Sequence, residues 1–179
     1  EVLRRVRTDD AREALSARLL AEGCWSSCRH RGPYPATLQM LGEAAPRALF
    51  GVGGTEPLSE DREHAAVTIV GSRRAGSYGI EVAGRLARDL SNAGLTVISG
   101  LALGVDSAVH EGALAGATTT VAVLGTGPER PYPRSRRGLY GRIRSKGAVI
   151  SELPPGSPTF RWMFPARNRL MAAMAGITV

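Results

Sequence analysis

Four times between Val67 and Ala175 a short apolar run gives way to a turn and then to a stretch of helical period. The first run, Val67, Ile69 and Val70, has the β-branched composition of a buried strand over 67–70. Gly71 ends it, and Gly76 and Gly79 bracket the start of a helix from about Tyr78 to Ala93. In that helix Ile80, Ala83, Leu86, Ala87 and Leu90 share one face, with Glu81, Arg85, Arg88 and Asn92 opposite, and Gly94 supplies a stop. A second strand over Thr96–Ser99 meets the glycine turn Gly100–Gly104 and a helix to about Ala115. A third, Thr120–Leu124, meets Gly125–Gly127 and a helix over about Ser135–Ser145. A fourth, Ala148–Ser151, runs into a proline-broken loop over 153–166, a helix from about Arg167 to Ala175, and the start of a fifth strand at Ile177–Val179.

Strand, turn and helix in this alternation predict an α/β fold with a doubly wound, mostly parallel sheet. Such sheets bind ligands at the carboxyl ends of their strands. The glycine turns at 71, 100–104 and 125–127 should therefore meet at one crevice. Before this rhythm the chain is less regular. Residues 1–22 read as a helix, with Asp10 and Glu13 spaced as a capping box and Gly23 as its stop. Residues 24–61 carry Pro33, Pro35, Pro46 and Pro57, with Leu49, Phe50 and Val52 as a short edge strand. The division expected is a helical and irregular lead-in over 1–62 and the α/β domain over 63–179. A sheet seldom stops three residues into a strand, so its C-terminal part is expected to be missing from this chain.

Composition adds a net charge of +7 and an isoelectric point near 10.4, with Lys146 the single lysine among 23 basic residues. The planar guanidinium fork suits phosphate recognition, which points to a nucleic-acid partner. A coding bias toward Arg, Ala and Gly would produce the same composition. No apolar run approaches the ~18–20 residues of a membrane span. Glu1 opens no signal peptide, and a cytoplasmic location without membrane contact is the expectation. Cys24 and Cys28, with His30 nearby, lack zinc-like spacing, so two isolated thiols and no metal or other cofactor are expected.

The turn after the first strand points backbone N–H groups and a helix N-terminus outward, an anion site to which Arg73 and Arg74 add charge. Its glycines at 71, 76 and 79 do not form G-x-G-x-x-G, and Ser77 and Tyr78 stand where a P-loop needs Lys and Ser/Thr. The turn thus reads as a phosphate cradle of another kind. In GLALGVDSAVH (100–110), Asp106 and His110 share a helix face. They form either an acid–base pair or, as favoured, a structural pair in which Asp106 orders the helix start and His110 bonds it. Arg130, Arg134, Arg136 and Arg137 follow the third glycine turn as a basic rim for a polyanion. Phe160, Trp162 and Phe164 interleave with Arg161, Arg167 and Arg169, which suits base stacking and equally suits an apolar plug under a long loop. No nucleophile elbow or close carboxylate pair suggests catalysis.

Together the blocks YPATLQML (34–41), ALFGVGG (48–54), IVGSR (69–73), YGIEVAGRLARDL (78–90), SGLALGVDSAVHEGAL (99–114), AVLGTG (122–127), YP (132–133), SELPPG (151–156) and FPARNRLMA (164–172) resemble the DprA/Smf family of bacterial DNA-processing proteins. The resemblance runs over roughly residues 30–179. It implies an extended Rossmann fold and a non-catalytic single-stranded DNA-binding protein that loads the recombinase RecA onto incoming strands in natural transformation. It makes 63–179 the DNA-binding domain. It implies DNA contacts at Gly71, Ser72 and Arg73, further pocket positions at Gly100, Gly104, Gly125, Thr126 and Gly127, and basic Arg134 after the Tyr-Pro step. Asn168 and Arg169 match the family's Arg-Asn-Arg motif. Arg136 stands where the family often has Asn. Homodimerisation and RecA contacts in the family use surfaces in the missing part. The alternative is a nucleoside-monophosphate-processing enzyme of the lysine-decarboxylase-like (LOG) group, whose P-G-G-x-G-T-x-x-E signature does not occur here.

Overall fold

The computed structural model describes residues 9–59 and 65–179. Helix α1 (Asp9–Ala21) leads to strand β1 (Trp25–Cys28), a 3₁₀ segment over Ala36–Ala44 and β2 (Ala48–Gly53). The alternating part follows: β3 (Ala66–Thr68), α2 (Ser77–Asn92), β4 (Thr96–Ser99), α3 (Val105–Leu114), β5 (Thr120–Val123), α4 (Arg137–Lys146) and β6 (Ala148–Ser151). Two short helices, α5 (Met163–Ala166) and α6 (Asn168–Ala173), return the chain to β7 (Ile177–Thr178).

All seven strands form one sheet in the order β1-β2-β6-β5-β4-β3-β7. The run from β6 to β7 is parallel, while β2 pairs antiparallel with both β6 and β1. From β3 to β6 each crossover moves one strand in the same direction. The α5–α6 connection then crosses back to place β7 on the other side of β3. This reversal makes the carboxyl end of β3 the switch point where open α/β sheets bind ligands.

The period-2 geometry of a strand sorts side chains onto the two faces. Val67, Val97, Ala122 and Val149 point to the face covered by α2, α3 and α4; the core there includes Ala83, Val109 and Ile143. Ala66, Ile98, Val121, Val123 and Ile150 point to the other, where Leu170, Met171 and Leu38 cover them. The strands are therefore apolar at successive positions, as expected of a sheet buried on both faces.

Three expectations differ from what is observed. The strand at 48–53 is internal, because polar Trp-Ser-Ser-Cys adds an outer strand that no hydrophobic alternation announces. Trp25 lies flat on Gly51 and donates from Nε1 to Gly53 O at 3.1 Å, anchoring that edge. The helix expected over 167–175 is present as Asn168–Ala173, but the loop expected over 153–166 ends in a turn of helix of its own, Met163–Ala166. Asp10 lies inside α1 rather than at a cap; the N-terminal eight residues of the expected helix lie outside the described residues. Among the described residues no helix is long and apolar enough to cross a membrane.

Candidate functional site

The turns after β3, β4 and β5 meet above the sheet and enclose a cleft of about 110 Å3. Arg73 comes from the first turn, Gly100, Ala102 and Leu103 from the second, and Leu124, Gly125 and Thr126 from the third. Tyr132, Pro133, Phe164 and Arg167 close it from the side of the later loops.

Asp106, only 3% exposed, ties the first two turns together. Its Oδ1 accepts from the Gly71 N–H at 3.4 Å and its Oδ2 from the Ala102 N–H at 3.3 Å. The neighbouring Val105 N–H donates to Ser72 O at 3.1 Å. That approach requires glycine at 104: its φ is +77°, and a Cβ there would stand 2.2 Å from Ser72 O. Between the two anchors Leu101 takes a positive φ of 57° while its side chain is fully buried. A non-glycine residue held there costs on the order of 1–3 kcal/mol, strain of a kind concentrated at ligand-binding turns.

Arg167 forms the floor. Its Nη1 donates to Gly100 O at 2.6 Å and also to Val123 O, its Nε donates to Asn168 Oδ1 at 3.2 Å, and its Nη2 lies 3.7 Å from Asp106 Oδ2. The guanidinium packs flat on Gly100, where any Cβ would stand 2.0 Å from Nη2. Burial pushes its pKa down to about 10, against the pull of Asp106 and with a smaller push from Arg73. It stays charged at neutral pH.

At the rim the arrangement is the opposite. Arg73 is exposed, has no carboxylate partner among the described residues, and sits with its Cζ 5.9 Å from the centroid of the Phe164 ring. Phe164 stacks at 4.7 Å and 35° on Tyr132, whose peptide bond to Pro133 is cis. Ser72 Oγ accepts from the Arg74 N–H at 3.1 Å and holds the turn that carries Arg73. An exposed cation beside an aromatic pair, backed by a buried guanidinium, suits a group that is anionic at one end and planar at the other.

The expected site residues divide accordingly. Arg73, Gly100, Gly125 and Thr126 line the cleft, Gly71 and Ser72 build its wall, and Gly104 lies behind it. The Thr126 hydroxyl donates to the Gly127 carbonyl at 3.2 Å, so it serves the turn. Gly127 is buried against Glu129. Arg134 lies in a neighbouring groove. Asn168 is exposed and accepts from Arg167. Arg169 holds Glu152 through both carboxylate oxygens at 2.8 and 2.5 Å and donates to Ala44 O and Ala166 O. Its pKa is raised, first by the hydrogen bond to Glu152.

The favoured structural pairing of Asp106 with His110 requires correction. Asp106 bonds the turns before its helix. His110 Nδ1 lies 2.8 Å from Thr120 Oγ1, and that hydroxyl donates to Val97 O at 2.7 Å. The ring is fully buried, with Nδ1 turned to Thr120 and a backbone hydrogen bond to Ser99 on the imidazole. Burial, helped by Arg167, lowers the pKa of His110 to about 3. Sequence reasoning named Arg167 only as one of several arginines among aromatics. The Arg-Asn-Arg triplet was the available signal, but nothing in it tells which arginine turns inward.

A doubly wound, mostly parallel sheet with a cationic, aromatic-edged cleft at its switch point defines a Rossmann-like α/β protein. The family model of DNA recombination-mediator protein A matches residues 26–179, and the chain belongs to that family, the DprA/Smf proteins. It is 35% identical over 181 aligned positions to the putative DNA processing protein DprA of Mycobacterium tuberculosis, covering 98% of this chain and 42% of that protein. With DprA of Streptococcus pneumoniae it shares 36% over 141 positions, covering 79% and 48%. The chain thus spans less than half the length of these relatives. The crystal structure of S. pneumoniae DprA superposes with a TM-score of 0.77 at 33% identity, covering 89% of this chain and 55% of that one. DprA of Helicobacter pylori, whose structure is described for its single-stranded DNA binding mode, gives 0.74 at 29%, covering 86% and 67%.

Proposed function

We propose that this chain is the strand-capturing part of a non-catalytic recombination mediator, binding single-stranded DNA at the crevice formed by its glycine turns. Residues 63–179 serve as the DNA-binding domain and 1–62 as its lead-in. In the cytoplasm, the protein would load RecA onto incoming strands during natural transformation and act as a homodimer. The observation that carries this reading is Arg73: an exposed guanidinium, without a carboxylate partner among the described residues, beside the Tyr132–Phe164 aromatic pair at the switch point. Phosphate binds the guanidinium and the exposed N–H groups of the first turn; a base stacks on the rings. Gly71, Ser72, Gly100, Gly104, Gly125, Thr126 and Gly127 shape the turns, while Arg134, Asn168 and Arg169 flank them. A cleft of about 110 Å3 is small for a whole nucleotide and suits one phosphate or the edge of a base on a strand that continues outside.

The test is fluorescence anisotropy of a labelled single strand, with an equal-length duplex as competitor, across a salt series. Single-strand preference with a steep salt slope is expected. Arg73→Ala should weaken binding about ten-fold irrespective of sequence and flatten the slope by about 0.7. Unchanged affinity would remove Arg73 from the interface. Release of free base from AMP would replace this reading with the nucleoside-monophosphate one.

A further inference from the structure

Beside the crevice lies a larger groove of about 730 Å3, lined by Glu129, Arg130, Arg134, Arg137, Gly141 and Arg144 together with Pro131 and Tyr140. The loop at 130–134 is the wall the two share. Tyr132 and Pro133 face the crevice, while Arg130, Pro131 and Arg134 face the groove.

The charges of this groove are only partly compensated within it. Arg130 pairs with the nearly buried Glu129 at 3.1 Å, but Arg134, Arg137 and Arg144 have no carboxylate partner among the described residues. They follow one another at i, i+3 and i+10 along the turn before α4 and the helix itself, so they share one face. Arg137 and Arg144 stand about 10 Å apart along the axis. The same helix shows the contrast: Arg142, on the other face, is paired with Glu111 at 2.5 Å. Like charges aligned on one helix face repel, and a polyanion lying along them relieves that repulsion.

The floor between the two helical arginines is Gly141. Glycine is a poor helix former. No contact in the fold asks for it here, since a Cβ at 141 would meet nothing within 4 Å. What its absence does is keep the groove open at its centre. Tyr140, beside it, is held by a hydrogen bond from its hydroxyl to Pro128 O at 2.8 Å, which fixes the groove wall against the turn that precedes the shared loop.

We infer that this groove is a second nucleic-acid subsite: the strand held in the crevice crosses the Tyr132–Pro133 ridge and lays its next phosphates along Arg134, Arg137 and Arg144. This rests on the strand-binding reading of the crevice and extends it to a path with a minimum length. A short strand occupies the crevice alone; a long one occupies both.

The experiment compares thymidine oligonucleotides of about six and about twenty nucleotides, a range that brackets single-strand site sizes. For the double variant Arg137→Ala, Arg144→Ala, affinity for the long strand should fall about ten-fold and the salt slope by about 1.4, with the short strand unaffected. Gly141→Glu places a negative charge at the groove centre without a contact to disturb, and should weaken the long strand alone while leaving the thermal midpoint unchanged or higher. Equal losses on both lengths, or none on the long one, would overturn the second subsite while leaving the crevice reading in place. If Arg73→Ala has no effect and the double variant weakens both lengths, the groove is the primary site and the inferred path is wrong. Failure of the unaltered protein to bind either strand would overturn both readings.

Discussion

The floor and the rim of the crevice carry the same side chain under opposite conditions. Arg167 is 5% exposed, with donors aimed at two carbonyls, a side-chain amide and the buried carboxylate of Asp106. Arg73 is in solvent, with only a ring beneath it. The first guanidinium holds three turns in register, and the second is available to a ligand. A positive charge in the sequence is therefore not yet a binding charge; what decides is whether its donors are already spent. Arg169 belongs with Arg167 on this criterion, and Arg134 and Arg137 beside the α4 groove belong with Arg73.

The sharpest way to break the comparison is to remove the floor. Arg167→Ala would leave Asp106 buried without its cation and two carbonyls without a donor. A loss of about 3–5 kcal/mol is expected, read as a lower denaturant midpoint. Arg167→Lys should rescue little of it, because an ammonium cannot span the same acceptors. An effect below about 1 kcal/mol would show that the floor is not structural, since surface substitutions stay within about half that.

Next in size is Gly100→Ala. Its methyl group would displace the Arg167 guanidinium, for a loss of about 1–3 kcal/mol typical of overpacking. Binding should suffer as well, because the second turn moves with it. An alanine variant of wild-type stability would mean that Arg167 can settle elsewhere without cost.

Arg169→Ala sharpens the comparison differently. Breaking the clamp on the half-buried Glu152 should cost about 1–2 kcal/mol, given the hydrogen bonds to charged groups that are lost. Single-strand affinity should change less than it does in Arg73→Ala. If affinity falls as far while stability holds, Arg169 is a ligand contact despite its internal partners.

A pH-dependent effect comes from His110. Its folded pKa, near 3, lies below the ordinary value of 6.5. Between those values the unfolded chain binds the extra proton, so stability is complete above pH 6.5 and falls as the solution is acidified. The slope from this group is at most about 1.4 kcal/mol per pH unit. Urea titrations of the wild type and His110→Gln from pH 7 to pH 5 should show a shallower decline in the variant. Parallel declines would assign the acid sensitivity to the carboxylates instead.

Much of this architecture was legible beforehand. The strands at Thr96–Ser99 and Ala148–Ser151 coincide with the expected ones, because a strand buried on both faces is an unbroken apolar run with turn residues at its ends. The outer strand Trp25–Cys28 was not legible, since an edge strand with a small buried face needs no such run. In the crevice, Gly100, Gly104 and Arg73 could be named in advance because a positive φ, a close approach and an unpaired cation each need a particular residue type. The division of labour between Arg73, Arg167 and Arg169 could not, since all three read alike in one dimension.

By itself, then, the sequence determined the alternation of strands and helices, the three glycine turns and the surplus of guanidinium groups, all set by local backbone geometry and composition. Only the tertiary structure decided which turns share Asp106, which arginine is desolvated onto Gly100, and which along the rim and the α4 groove have no carboxylate partner among the described residues. Those outcomes depend on partners far away in the chain, because a guanidinium is committed or available according to the carbonyls and carboxylates that folding brings within reach.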